Sequence, residues 1–232
     1  FHYNNSGYFM LGHIVRKVTG QSLGGYLQAT FFRPLGMADT GVHSVNVQLE
    51  QEAKGYSIED GKAEDALNWA MSRAGGAGAL YSTVHDLMKW NEAVFSGQVL
   101  KEQTLSKAFT PVEPSGMGMK YGYGWMMGEQ RGLPTISHAG GLHGFVSYLV
   151  RFPEQTLTVA ALHNASPPVA DLNPGSMATR LAELFLWKEM KPRPSYQVDP
   201  NVDPESYVRY VGRYDYGGAV MTVTKEGDKL FA

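Results

Sequence analysis

Two short stretches of the sequence combine reactive side chains with backbone that a ligand can approach closely. Tyr3-x-Asn5 stands just before the first predicted helix, where side chains and free amide N–H groups can face a ligand. His138-Ala139-Gly140-Gly141 is predicted to follow one strand and to precede the next. Its two glycines allow close approach of a substrate and can aim N–H groups at a developing oxyanion. Both stretches are therefore candidate functional sites, the first for contact with a ligand and the second for stabilising an oxyanion.

Each stretch also has a purely structural interpretation. Tyr3-x-Asn5 taken alone is most often a helix cap, and His138 taken alone is more often a hydrogen-bonding residue at a strand end. A metal site built from His138 and His143 is not expected, because no ligand spacing such as H-E-x-x-H supports it. We expect no cofactor.

Two further stretches carry weaker signals. The glycine-rich stretch Gly75 to Gly78 predicts a flexible loop before the next segment. Of these stretches it gives the weakest indication of a functional site. Tyr123 and Trp125 alternate with Tyr121, which is typical of one face of a strand. As residues on the rim of a cleft, Tyr123 and Trp125 would instead contact substrate.

Composition excludes several classes of protein. The 232 residues carry a formal charge of −2, and 43% of them are hydrophobic, so neither disorder nor a basic nucleic-acid-binding surface is expected. The longest apolar runs have four residues, far short of the roughly 20 that cross a bilayer. There are no cysteines, which excludes disulfides and a thiol nucleophile. The lack of cysteine favours a periplasmic or secreted protein over a cytoplasmic one.

Helical periodicity dominates the first half of the chain. A helix is predicted between Tyr3 and Gly20 with Asn5 or Ser6 as its cap, and a second helix runs from Ser22 to Pro34. The stretch 40–70 is polar and predicts only short irregular elements. The remaining predicted helices are one that begins with a capping box at Thr83 and Asp86, and a shorter one over 103–109.

Beyond this the period changes from 3.6 residues to 2. Strands are predicted over 121–127, 135–138, 145–151 and 156–163, followed by a helix over 177–187 whose apolar stripe is Leu181, Leu184 and Phe185. A proline-rich linker over 191–204 then precedes a separate β unit. The order of the predicted elements is helices, then an antiparallel sheet, then a covering helix. This order predicts an α+β (mixed α/β) fold rather than a doubly wound one.

The motifs, in their order along the chain, resemble those of the serine β-lactamase-like hydrolases, on the class C and esterase side. The resemblance covers about residues 1–190. It rests on Tyr3-Asn4-Asn5-Ser6-Gly7-Tyr8, Pro34-Leu35-Gly36-Met37-Ala38-Asp39-Thr40, Gly76-Ala77-Gly78-Ala79-Leu80-Tyr81-Ser82-Thr83 and His138-Ala139-Gly140-Gly141. From residue 205 onward the tail resembles the start of the lipocalin-like β module that often follows this domain. The resemblance implies three segments: residues 1–190 as the hydrolase domain, 191–204 as a linker and 205–232 as the beginning of the β module.

The resemblance implies acyl transfer through a covalent acyl-serine intermediate. Tyr3 would be the general base that takes the proton from the serine, and Asn5 would orient the family's lysine or the acyl side chain of the substrate. His138-Ala139-Gly140 would be the third motif, in which His138 holds the tyrosine network or polarises the leaving group. Ala139 would line the substrate, and the N–H of Gly141 would be one oxyanion donor.

The family's nucleophile motif S-x-x-K is not found in the sequence, since no serine is followed by lysine three positions later. In this family that motif precedes the tyrosine motif, so we expect these residues to be part of a longer protein and to be inactive alone. The expected partner is a small-molecule or peptide-like acyl substrate, an ester, amide or D-amino-acid peptide rather than an antibiotic. The alternative is a pseudoenzyme, or a peptide- or glycan-binding module, on the same fold.

Overall fold

A computed structural model describes residues 2–44, 49–67, 70–112, 120–168, 172–193, 201–215 and 220–232. The chain divides into two compact units, Phe1–Lys191 and Pro192–Ala232. Part of the predicted linker, residues 194–200, lies outside the described residues.

Five α-helices occur in the described part of the first unit, together with 3₁₀ turns at Met71–Arg73 and Gly75–Ala77. The second helix continues into a π-helical turn over Gln28–Phe32. The helices are α1 Asn5–Thr19, α2 Leu23–Leu27, α3 Val84–Phe95, α4 Glu102–Ala108 and α5 Pro174–Leu186.

The start and the end of α1 follow from single residues. The side chain of Asn4, not of Asn5 or Ser6 as predicted, caps the helix by accepting from the N–H of Gly7 at 2.7 Å. The helix ends at Gly20, whose φ of 72° is a left-handed conformation that glycine adopts without strain. Because Asn4 is the cap, the Asn5 side chain is free to reach another partner.

The strands form small sheets and one five-stranded antiparallel sheet in the order β5-β6-β7-β8-β9. A hairpin of β2 and β3 lies in the stretch that was predicted to be irregular, and β10 pairs with β2 in parallel. The strands of the first unit are β1 Gly41–Val42, β2 Tyr56–Glu59, β3 Lys62–Asp65, β4 Leu80–Tyr81, β5 Lys120–Tyr121, β6 Met126–Gln130, β7 Leu133–Leu142, β8 Phe145–Phe152, β9 Leu157–His163 and β10 Ala165–Ser166.

Helices cover both faces of the five-stranded sheet. One face packs on α5, and its buried cluster comprises Leu133, Val150, Phe152, Val159, Ala178, Ala182, Leu186 and Met190. On the other face, Arg151 of β8 lies 3.6 Å from Glu92 of α3, and Thr158 of β9 donates to Asn91 of α3. Successive strand residues face opposite sides, so α3 and α5 sandwich the sheet. These observations confirm the predicted α+β class.

Two further predicted details of this unit are wrong. The stretch 121–127 is not one strand but the two strands β5 and β6, which pair in a hairpin with Tyr121 opposite Met126. The predicted stripe of α5 is also wrong: Leu181, Leu184 and Phe185 are exposed, Leu184 to 73%. The buried residues of α5 are instead Pro174, Ala178, Ala182 and Leu186, and the two alanines let the helix approach the sheet closely.

The second unit is a three-stranded antiparallel meander behind a 3₁₀ helix at Pro204–Tyr210. Its strands are β11 Gly212–Asp215, β12 Val220–Glu226 and β13 Lys229–Phe231. The turn between β12 and β13 contains Gly227 at a φ of 57°, a left-handed conformation that glycine adopts without strain.

Candidate active site

The N-terminus of α1 places a phenol and an amide side by side. The hydroxyl of Tyr3 donates to Oδ1 of Asn5 at 3.2 Å, and the ring of Tyr3 is partly buried. The Tyr3 ring lies 5.7 Å from the Tyr8 ring, which is one helical turn further along α1. The first residues of α1 therefore form a compact polar and aromatic group.

The strand β7 brings His138 to the same place. The rings of Tyr3 and His138 have their centroids 6.3 Å apart, although 135 positions separate them in the sequence. His138 pairs with Leu149, so its side chain points away from α5, to the face of the sheet that also carries Arg151. The two predicted stretches thus meet on one side of the sheet.

A third tyrosine joins these groups. The hydroxyl of Tyr121 lies 2.9 Å from Nε2 of His138 and 2.9 Å from the hydroxyl of Tyr8. Tyr121 is only 1% exposed, and its ring packs edge-on to Tyr3 and His138 at 5.6 and 5.7 Å. The other ring nitrogen, Nδ1 of His138, lies 2.6 Å from the carbonyl oxygen of Ala139.

Tyr8 and Tyr121 were not predicted as site residues from the sequence, because their partners are distant along the chain. The only sequence signal for either was the apolar alternation around Tyr121.

The surroundings favour the protonated phenols. Burial, and then the negative charge that Tyr8 would carry, raise the pKa of Tyr3 above its ordinary value. Burial, the hydrogen bond with Tyr8 and the charges of the neighbouring tyrosines raise the pKa of Tyr121 far above its ordinary value. Both residues are therefore neutral proton donors near neutral pH in this structure.

The strand β7 extends beyond its neighbour in the sheet. Pairing with β6 ends at Ser137, whereas pairing with β8 continues to Leu142. The sequence predicted that His138-Ala139-Gly140-Gly141 follows a strand. This prediction is wrong, because the stretch lies within β7. Residues two apart in a strand direct their backbone groups to the same edge. The carbonyl of Ala139 accepts from the His138 ring, so the N–H of Gly141 points to the edge where that ring lies.

The glycines of this strand differ in the space around them. A Cβ on Gly141 would meet nothing within 4 Å, which leaves that backbone open. A Cβ on Gly140 would lie 2.5 Å from Oγ of Ser147 on β8. A side chain at Gly140 would therefore displace the Ser147 hydroxyl, whereas the Gly141 backbone is accessible from outside.

The two predicted rim residues lie in the turn between β5 and β6. Tyr123 is 67% exposed, and its backbone N–H donates to the carbonyl of Ala108 at the end of α4. Trp125 packs edge-on to Phe109 and Phe95. They do not share a strand face with Tyr121, because the chain reverses between them. Contact of either residue with substrate stays a prediction.

Two kinds of feature are absent from the residues that the structure describes. No group of three or more His, Asp or Glu side chains there is placed to hold a metal ion. None of the helices described is both long and apolar enough to cross a membrane.

Comparison with known proteins identifies the family. The model of the Beta-lactamase family matches residues 1–184. The chain belongs to the beta-lactamase family. A penicillin-binding protein of Bacillus subtilis (strain 168) is 26% identical over 249 aligned residues, which cover 99% of this chain and 54% of that protein. The chain thus spans about half the length of this relative.

Solved structures lead to the same family fold. The octameric penicillin-binding protein homologue from Pyrococcus abyssi is 26% identical, with a TM-score of 0.67 over 98% of this chain and 51% of that one. The D-amino acid amidase from Ochrobactrum anthropi SV3, in complex with L-phenylalanine, is also 26% identical, with a TM-score of 0.69 over 81% of this chain and 56% of that one. These likenesses agree with the family that the sequence model identifies.

Proposed function

We propose that this chain carries the acid–base half of a serine hydrolase active site that works through a covalent acyl-enzyme. The observation that carries the proposal is the meeting of Tyr3 and Asn5 with His138, whose ring centroid lies 6.3 Å from that of Tyr3. The open N–H of Gly141 lies at the same strand edge. A proton donor, its orienting amide and an oxyanion donor are the parts that acyl transfer needs besides its nucleophile.

In this proposal Tyr3 exchanges a proton with the serine and with the leaving group. Since the pKa of Tyr3 is raised, the phenol acts as an acid as it stands. It becomes a base only where a nearby cation, such as the lysine of the family's S-x-x-K motif, lowers that pKa. Asn5, which accepts from the Tyr3 hydroxyl, holds the phenol in place.

The substrate class we propose is an ester, amide or D-amino-acid peptide. The D-amino acid amidase among the structural neighbours supports an amide substrate. His138 stands where a cationic lysine is common in the β-lactamases, and both its nitrogens lie against groups of this chain, which disfavours recognition of a substrate carboxylate. We further propose that the 232 residues, in which no serine begins an S-x-x-K motif, do not turn over substrate alone.

The test is covalent labelling of the complete protein. A fluorophosphonate or penicillin label should attach to one serine of that protein and to none in the 232-residue chain. Replacing Tyr3 by Phe should slow hydrolysis of p-nitrophenyl esters by roughly 10²–10⁴-fold, the usual contribution of a proton-transfer group. Tyr26→Phe, on α2 and packed edge-on against Phe31, is the matched control and should keep the wild-type rate. Absence of a label on the complete protein would favour the pseudoenzyme alternative.

A further inference from the structure

A row of hydrogen-bonding groups connects α1 to β7. The hydroxyls of Tyr8 and Tyr121 and the imidazole of His138 follow one another at 2.9 Å, and the row ends at the carbonyl of Ala139, 2.6 Å from Nδ1. It joins three elements that are separate in the sequence: α1, β5 and β7. Its centre, Tyr121, is almost completely buried.

The direction of every bond in this row follows from its end. A carbonyl oxygen only accepts, so Nδ1 of His138 carries a proton. In the neutral ring Nε2 then has no proton and accepts from the hydroxyl of Tyr121. Because that hydroxyl donates to His138, it accepts from the hydroxyl of Tyr8. The row therefore runs as donation from Tyr8 to Tyr121 to His138 to Ala139.

We propose that Tyr121, assisted by Tyr8, is a positioning residue that holds His138 as the Nδ1–H tautomer, with its ring plane fixed toward Tyr3. The proposal rests on the proposed function for its catalytic meaning. Both nitrogens of His138 are engaged inside the chain, so the histidine organises the site and does not bind the substrate through either nitrogen. Hydrogen bonds in series polarise one another, so removal of the Tyr8 hydroxyl weakens the bond to His138 as well.

The tautomer can be measured on the 232-residue chain without any activity. In chain labelled with ¹⁵N-histidine, long-range ¹H–¹⁵N spectra near pH 8 should show His138 protonated at Nδ1 and unprotonated at Nε2. The spectrum of His138→Gln assigns the signal among the 7 histidines. In Tyr121→Phe the Nε2 resonance should move downfield, toward that of a ring nitrogen without a hydrogen bond. Tyr8→Phe should give a smaller shift in the same direction, and Tyr26→Phe none.

Two results would overturn the positioning role: protonation of Nε2 in the wild type, or an unchanged Nε2 resonance in Tyr121→Phe. If Tyr121→Phe does not fold, the wild-type tautomer and the Tyr8→Phe shift decide the question. A structural role alone would lower the fraction of folded chain and leave the ring resonances of that fraction unmoved.

The complete protein separates this inference from the proposed function. With rates normalised to the sites labelled by fluorophosphonate, Tyr121→Phe should lower kcat by roughly ten- to a hundredfold, since small displacements of catalytic groups have effects of that size, and leave KM within about twofold. An unlabelled wild type would refute the proposed function and leave the tautomer result standing. A labelled Tyr121→Phe protein with wild-type kcat would refute the positioning role and leave the proposed function standing.

Discussion

Ionisation of the Tyr121 phenol should make the free energy of unfolding depend on pH in the alkaline range. This phenol is buried, and its pKa is raised above the unfolded value of 10.0. A raised folded-state pKa contributes stability that is fully present below about pH 10 and is lost as the pH rises toward the folded-state value.

Tyr121→Phe should lower the free energy of unfolding by about 1–3 kcal/mol near pH 8, because Tyr8 and His138 lose a buried partner. The difference in free energy of unfolding between wild type and variant should then narrow by about pH 11. Urea denaturation at both pH values measures it, and a constant or growing difference contradicts the prediction.

At the scale of single residues, the sequence predicts the chemical groups better than their connections. Tyr3, Asn5 and His138 were predicted from the types of their neighbours, and the structure brings them together. Tyr8 and Tyr121 could not be predicted as partners, because the distance between their hydroxyls depends on how α1 packs beside β5. No local periodicity encodes such a contact. The catalytic roles of all these residues stay predictions.

Asp86 ties α3 to the turn that precedes β1. Its carboxylate, 1% exposed, accepts from the N–H of Asp39, the hydroxyl of Thr40 and the ammonium of Lys89 at 2.8–2.9 Å. Burial alone would raise the pKa of Asp86, but these hydrogen bonds and the charge of Lys89 lower it below its ordinary value. Asp86 therefore contributes stability above about pH 3.8, which is lost as the pH falls through the lowered pKa.

Asp86→Asn should lower the free energy of unfolding by about 2–4 kcal/mol at neutral pH, since the uncharged amide can still accept from Asp39 and Thr40 but turns its N–H₂ group toward the ammonium of Lys89. The matched control is Asp65→Asn, which removes an ion pair with Lys54 at 2.7 Å on the surface, where Asp65 is 71% exposed. That change should cost less than about 1 kcal/mol. Urea denaturation of both variants gives the comparison, and equal losses would show that the Asp86 bonds contribute no more than a surface pair.

Gly76 sets how closely α1 approaches the glycine-rich turn. A Cβ at this position would lie 2.5 Å from the carbonyl oxygen of Tyr8 and 3.2 Å from the N–H nitrogen of Gly12. Gly76→Ala should therefore push α1 outward and cost about 1–3 kcal/mol, the usual cost of overpacking. In Gly78→Ala the nearest atom would be 3.6 Å away, so thermal unfolding of this variant should stay close to wild type. Similar melting temperatures for the two variants would contradict this account.

At the scale of elements, periodicity predicts whether a segment is a helix or a strand more reliably than it predicts which face is buried or where a turn lies. The helices α1 and α3 were predicted because the glycine stop of α1 and the Thr83 cap of α3 are local signals. Thr83 accepts from the N–H of Asp86 as the capping box requires, but the Asp86 carboxylate bonds elsewhere. The hairpin at β5 and β6 was missed because alternation of Tyr121, Tyr123 and Trp125 imitates a continuous strand. Only long-range packing shows that Ala178 and Ala182, not the larger residues, face the sheet.

At the scale of the whole molecule, the two units differ in what can stabilise them. The first, Phe1–Lys191, contains the buried cluster that α5 forms with the five-stranded sheet. The second has about forty residues, a size that rarely folds without disulfides, metals or a partner, and the chain has no cysteine. Several of its apolar side chains, such as Val220 and Phe231, are about half exposed. This difference supports the proposal of a hydrolase domain followed by the beginning of a separate β module.

The two units should accordingly behave differently when each is made alone. Residues 1–191 should unfold in one cooperative thermal transition, because their core lies within that range. Residues 192–232 should give the far-UV circular dichroism and narrow amide proton dispersion of an unfolded peptide. Dispersed amide signals from the isolated peptide would show that three strands and a 3₁₀ helix suffice for folding. A non-cooperative melt of residues 1–191 would show that the cluster around Phe152 and Val150 is not a sufficient core.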